Sequence, residues 1–126
     1  MASIYNNTIN NNSNDIKSSV KIISSNVRGF RTNIGELTHN FILRVRADIV
    51  FLSETFLDAT IPEGYGTIPG YSKWHRKDRN QQGGGIALCY SNDTHLQILE
   101  EETPRDLEVI IFRYFDAVRM ENRHWA

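Results

Sequence analysis

Val20-Lys21-Ile22-Ile23-Ser24-Ser25-Asn26 and Asp48-Ile49-Val50-Phe51-Leu52-Ser53-Glu54-Thr55 are two β-prone segments flanking an amphipathic stretch. The first is rich in β-branched residues and turns polar at its end, as a short strand does on leaving a sheet. The second is apolar on both faces from Ile49 to Leu52, which suits a central strand covered on each side. Between them, Arg28-Gly29-Phe30-Arg31 predicts a turn, and Asn33 followed by Glu36 resembles a capping box. Ile34, Leu37, Phe41, Ile42 and Val45 then recur at helical spacing, which predicts a helix over residues 33–45. It should pack through Leu37, Phe41 and Val45. Strand, helix and strand in this order form a βαβ-like unit whose strands run parallel and adjacent.

Working outward, Pro62, Gly64, Gly66, Pro69 and Gly70 break the stretch after Leu57 into turns. Residues 71–74 are a brief strand candidate, and residues 75–82 form a polar tract. Gly83-Gly84-Gly85 leads into Ile86-Ala87-Leu88-Cys89-Tyr90, which reads as a buried strand. Further strands are expected within residues 95–99 and 107–114. The class is α/β, with strands in the majority. Residues 1–19 differ from the rest. Asn6, Asn7, Asn10, Asn11, Asn12 and Asn14 dominate them, and so little apolar surface predicts a disordered leader. Residues 20–115 then make up the folded domain, and residues 116–126 form a divergent tail without clear periodicity.

The 126 residues suffice for one ordinary domain. Fourteen Lys and Arg against fifteen Asp and Glu leave a formal charge of -1, which argues against a histone-like or polybasic membrane-surface protein. No apolar run is long enough to span a bilayer, and no secretory signal opens the chain. A single cysteine, Cys89, permits no internal disulfide. An intracellular protein, nuclear or cytoplasmic and not secreted, is expected.

Asn26 and Glu54 each lie just past the apolar part of a predicted strand. Parallel neighbours would bring both side chains to one carboxyl edge, where open α/β sheets place their ligand sites. A carboxylate beside an amide there suits Mg²⁺, which is held by one or two carboxylates plus water and substrate phosphate. The plainer reading makes Asn26 a turn cap and Glu54 a solvated strand end. Cys89, inside an apolar strand, reads as a small buried hydrophobe. Gly83-Gly84-Gly85 precedes a strand, with no Lys-Ser or Lys-Thr after it. It reads as room for a turn or bulge, not as a phosphate loop.

These blocks resemble a known family. Ile23-Ser24-Ser25-Asn26-Val27-Arg28-Gly29 and Ala47-Asp48-Ile49-Val50-Phe51-Leu52-Ser53-Glu54-Thr55-Phe56-Leu57 are similar to the opening of the endonuclease/exonuclease/phosphatase family. Pro69-Gly70-Tyr71, Arg76-Lys77-Asp78-Arg79 and Gly83-Gly84-Gly85-Ile86-Ala87-Leu88 narrow the likeness to the apurinic-type endonuclease domain of non-LTR retrotransposons. The resemblance covers about residues 21–114. It implies the first half of a four-layer αββα sandwich, with Asn26 and Glu54 in catalytic roles and as the Mg²⁺ site. It also implies DNA as partner. Lys73, Arg76, Lys77 and Arg79 would contact DNA phosphates from a surface loop, unless that tract is simply a solvated hairpin tip.

Complete members of that family carry further motifs: a catalytic Tyr, an Asp-x-Asn strand end and a terminal Ser-Asp-His. None of these motifs follows the Gly83-Gly84-Gly85 block here. The expectation is a truncated Mg²⁺-dependent DNA endonuclease domain, inactive alone and with its Mg²⁺ weakly held or absent, whose missing half or a second chain would complete it. The alternatives are a non-catalytic remnant or binding module, and another phosphoesterase of the same family. A half sandwich should also leave Ile86, Leu88, Val109 and Ile111, or their neighbours, on an uncovered apolar face.

Overall fold

The computed structural model describes residues 2–10, 17–104 and 106–115, with side chains described from Ser19 onward. The divergent tail expected at residues 116–126 lies outside them. The elements are β1 (Ala2–Asn10), β2 (Lys17–Asn26), α1 (Phe30–Leu37), a π-helical turn (Thr38–Ile42) and α2 (Leu43–Val45). There follow β3 (Ile49–Ser53), β4 (His75–Lys77), β5 (Ile86–Tyr90), β6 (Leu96–Ile98), a 3₁₀ turn (Glu100–Glu102) and β7 (Phe112–Tyr114). Five strands form one mixed sheet in the order β1-β2-β3-β5-β4, and β6 pairs with β7 separately. The molecule is mixed α/β. No helix among the described residues is long and apolar enough to cross a membrane.

β2 and β3 are parallel neighbours, with Ile22 opposite Ile49 and Asn26 opposite Ser53, as the strand-helix-strand pattern predicts. β5 then runs antiparallel to β3, placing Ala87 opposite Leu52 and Cys89 opposite Val50. Alternation along the strands sorts the apolar residues into two cores. Ile23, Val50, Leu52, Ala87 and Cys89 face the helical layer, where Phe30, Leu37, Ile42 and Trp74 join them. Val20, Ile49 and Leu88 face the other way, and Ile22, Phe51, Tyr90, Leu96, Ile98, Ile110 and Tyr114 pack there. The sheet is therefore covered by helix on one face and by the small β6–β7 sheet on the other. Burial pushes the Cys89 thiol well above its ordinary value, consistent with a packing role.

The helical segment departs from the periodicity in two ways. It starts at Phe30 with Gly29 as its N-cap, not at Asn33. The first helical N–H groups find backbone partners in the chain leaving β3. Gly29 N donates to Glu54 O at 2.9 Å and Phe30 N to Thr55 O at 2.8 Å. Asn33 lies within the first turn, its Nδ2 donating to Val27 O at 2.7 Å and Gly29 O at 3.2 Å. The expected face is also rotated. The π turn uses a longer hydrogen-bonded ring, seen in the Leu43 N–H donating to Thr38 O. The extra residue moves the inward position from Phe41, 36% exposed, to Ile42, fully buried.

Four other expectations are corrected. Residues 2–10, assigned by composition to a disordered leader, form strand β1, antiparallel to β2 along its free edge. Backbone pairing there supplies hydrogen bonds that composition alone does not reveal. The strand expected at residues 71–74 is only a bridge from Tyr71 to Ser91. Ser72 Oγ accepts the Tyr90 N–H at 3.1 Å, taking it from the backbone ladder. The ladder resumes at His75–Lys77, inside the tract read as polar loop. Ile86 and Leu88 are buried, not uncovered, because the sheet and the β6–β7 layer close over them. The strand expected over residues 107–114 is confined to Phe112–Tyr114, and Leu107, Val109 and Phe112 are the exposed apolar side chains of this region.

His75 lies under the second core, stacked on Tyr90 with ring centroids 5.8 Å apart and planes 6° from parallel. Its Nε2 is buried and has no hydrogen-bond partner among the described residues. Desolvation holds the imidazole below its ordinary value, and nearby Lys73 adds to this while Glu100 opposes it. A depressed value means that the fold prefers the neutral ring. Its contribution to stability is present above the ordinary value of 6.5 and lost as pH falls from there through the folded value. Urea midpoints measured across this range should fall more steeply for the parent chain than for His75→Phe. Equal slopes would assign the acid sensitivity to other groups.

Candidate functional site

The site expected from the sequence lies where β2 and β3 end together. Because Asn26 pairs with Ser53, Glu54 stands one residue beyond Asn26's neighbour on the same carboxyl edge. The backbone here is unusual. Arg28, Glu54 and Phe56 have φ values of 45°, 51° and 57°, all left-handed and none a glycine. Such residues cost about 1–3 kcal/mol each and persist only where the surroundings over-determine them.

The surroundings are the start of β5. Val27 N donates to Ser53 O at 3.0 Å, Thr55 N to Gly85 O at 3.2 Å and Phe56 N to Gly84 O at 3.0 Å. The exits of β2 and β3 and the entry of β5 are thus one hydrogen-bonded unit. Gly84 and Gly85 take φ values of 70° and 90°, which L side chains rarely adopt. A Cβ on Gly85 would collide with Thr55 Oγ1, and one on Gly84 with the Arg79 guanidinium. The Gly83-Gly84-Gly85 cluster therefore gives the backbone room for a turn, as its sequence context predicts. Thr55 is buried, and its Oγ1 accepts the Leu57 N–H at 3.5 Å.

Asn26 is exposed, and its Oδ1 accepts the Arg28 N–H at 3.3 Å. That contact is a turn cap, and it leaves the Nδ2 protons for another acceptor. Glu54 is half-buried and makes no ion pair with any described residue. The donor set at this edge is one carboxylate and one amide. No three His, Cys, Asp or Glu residues converge on a point among the described residues. Such a set fits a hard cation that keeps most of its water and takes further oxygens from a substrate phosphate. It does not fit a closed structural metal site.

The basic tract is not assembled into one patch. Lys73 Nζ lies 3.5 Å from Glu63, with both side chains largely exposed. Lys77 Nζ donates to the carbonyls of Pro104 and Leu107. Arg79 Nε donates to Gly83 O at 3.4 Å. Arg76 is turned inward, its side chain only 9% exposed. Its guanidinium grips Asp78 at 3.1 and 2.5 Å. It also donates to the carbonyls of Ile61 at 3.2 Å, Pro62 at 2.9 Å and Asp58 at 3.0 Å. The pairing of β4 with β5 accounts for this. Arg76 stands opposite Ala87 on the helix-facing side, while His75 and Lys77 stand opposite Leu88 and Ile86. Arg76 holds the loop after β3 in place, and no spacing rule marks it for that task.

Two further features escape sequence reasoning, the first of them at the opposite end of β3 from Glu54. Tyr71 Oη donates to Ala47 O at 2.5 Å, and burial pushes the phenol up to about 12. A recess of about 410 Å³ opens beside the strand ends, lined by Gly29, Arg31, Thr32, Thr55, Phe56, Tyr65 and Gln81. Its residues come from separate loops, so no local motif announces it. No model of a protein family matches this sequence, and no curated protein matches it either.

Proposed function

We propose that this chain carries the Asn26–Glu54 portion of a Mg²⁺-dependent DNA endonuclease domain of the non-LTR retrotransposon type, an intracellular phosphodiesterase unit without hydrolytic activity of its own. The observation that carries this reading is the placement of Asn26 and Glu54 at adjacent carboxyl ends of parallel strands, in a backbone strained at Arg28, Glu54 and Phe56. Strain gathered at a ligand-binding edge is a common companion of function. The helical layer, the mixed sheet and the β6–β7 pair would then be the opening layers of a four-layer sandwich.

Glu54 and Asn26 are the residues that would hold Mg²⁺, which when bound would neutralise charge on a phosphodiester and its transition state. With Oδ1 held by the Arg28 N–H, Asn26 presents Nδ2 as a donor to a non-bridging phosphate oxygen. Glu54, having no cationic partner among the described residues, keeps its carboxylate for a cation. Neither residue supplies a base for the attacking water. Phosphodiester hydrolysis needs water activation, charge stabilisation and leaving-group assistance together. Residues that act as a unit lose most of their effect when one is missing.

The chain alone should therefore leave supercoiled plasmid at background nicking with Mg²⁺ present, and Glu54→Ala should change nothing measurable. Robust nicking abolished by Glu54→Ala would contradict this and would require a second chain to complete the site. A non-catalytic binding module is the second reading. It is favoured by one observation, the internal engagement of Arg76 and Lys77.

A further inference from the structure

The recess beside the strand ends combines three groups suited to one ligand class. Thr55 and Phe56 in its wall directly follow Glu54, and Gly29 donates its N–H to Glu54 O at 2.9 Å. The recess therefore adjoins the backbone segment that carries Glu54. Tyr65 is 38% exposed. It lies 5.9 Å from Phe30, which meets Trp74 edge-on at 5.3 Å. A π face that packs against a buried ring has less freedom to lose when a ligand stacks on it.

Arg31 also lines the recess and forms no ion pair with any described residue. Gln81 adds a carboxamide that donates one N–H to Asp58 and keeps its second N–H and its oxygen. Gln81 and Arg31 lie close enough to Asp58 to help hold its carboxyl below the usual range, although Thr60 is the main cause. An aromatic face, a guanidinium and an amide around one recess match a base, its phosphate and its hydrogen-bonding edge.

We propose that this recess seats an unpaired base adjoining the phosphate held at Asn26 and Glu54, with Tyr65 as the stacking platform and Arg31 on the neighbouring phosphate. The inference rests on the DNA reading above and makes it more specific. Stacking is tolerant of sequence, so affinity through Tyr65 should depend little on which base is present.

The test is fluorescence anisotropy of a short fluorescein-labelled single-stranded oligonucleotide titrated with the full chain at low salt. Tyr65→Ala should weaken binding about tenfold. Tyr65→Leu keeps an apolar contact for Phe30 but has no π face, so it should weaken binding similarly while the thermal melt stays near the parent's. Tyr65→Phe should retain parent affinity. Arg31→Gln should lower the salt slope by about 0.7, the value for one single-strand phosphate contact. Binding that is unchanged by Tyr65→Leu and Arg31→Gln would overturn the recess assignment and leave the DNA reading standing. No binding by the parent chain would overturn both.

Discussion

Phe30→Ala is expected to cost about 3–5 kcal/mol, a large part of the total stability of a domain this size. Phe30 is fully buried and joins three parts of the fold. Its N–H is tied to Thr55 O at 2.8 Å, and its ring touches Tyr65 and Trp74. Gly66 approaches the ring so closely that a Cβ there would overlap it. Alanine would leave a cavity at the junction of helix, sheet and the residue 57–74 loop. Phe30→Leu keeps most of the volume and should lose much less. Urea midpoints of the two variants check this, and equal losses would mean that the ring contacts contribute little.

The second large effect concerns Arg76. All five guanidinium N–H groups have acceptors: the Asp78 carboxylate twice, and the carbonyls of Ile61, Pro62 and Asp58. Arg76→Ala would strand those carbonyls and a partly buried carboxylate, at a cost of about 3–5 kcal/mol. Lysine cannot reproduce the fork, so Arg76→Lys should recover less than half of the loss. Protease susceptibility should rise within residues 58–62, the segment that Arg76 holds. A phosphate-contacting arginine would behave differently, lowering DNA affinity without lowering the melting temperature. The two outcomes separate a structural Arg76 from a nucleic-acid contact.

The central βαβ unit was legible because its cause is local. Val20 to Ile23, interrupted only by Lys21, and Ile49 to Leu52 are β-branched or apolar segments of strand length, and the residues between them keep one apolar face. The polar ends at Asn26 and Glu54 likewise mark where the chain leaves the sheet. The inward turn of Ile42 in place of Phe41 was not legible, because a π turn inserts a residue without changing which residues are apolar. The start of the helix was misplaced for a related reason. Gly29 satisfies the first turn through backbone bonds to residues distant in sequence, and no cap side chain records that.

Position in a ladder also misled the reading of the basic tract. A run of cations suggests a solvated loop, yet alternation in β4 turns Arg76 inward while its neighbours stay on the other face. Exposure of the β5 face was overestimated because Leu96, Ile98, Ile110 and Tyr114 lie far along the chain from Leu88, which they help to cover. The recess at Tyr65 depends on four separate segments and has no signature in any one of them. At the candidate site, the residues were found from strand ends, whereas the strain that supports them is visible only in the backbone angles.

The role proposed for the edge formed by Asn26 and Glu54 is to recruit a hard divalent cation. Mn²⁺, added well below stoichiometry to the isotopically labelled chain, tests it by paramagnetic broadening of amide signals. Selective broadening is expected at Asn26, Val27, Glu54 and Thr55, competed away by Mg²⁺ and absent in Glu54→Gln. Broadening centred elsewhere, or unchanged by Glu54→Gln, would contradict it.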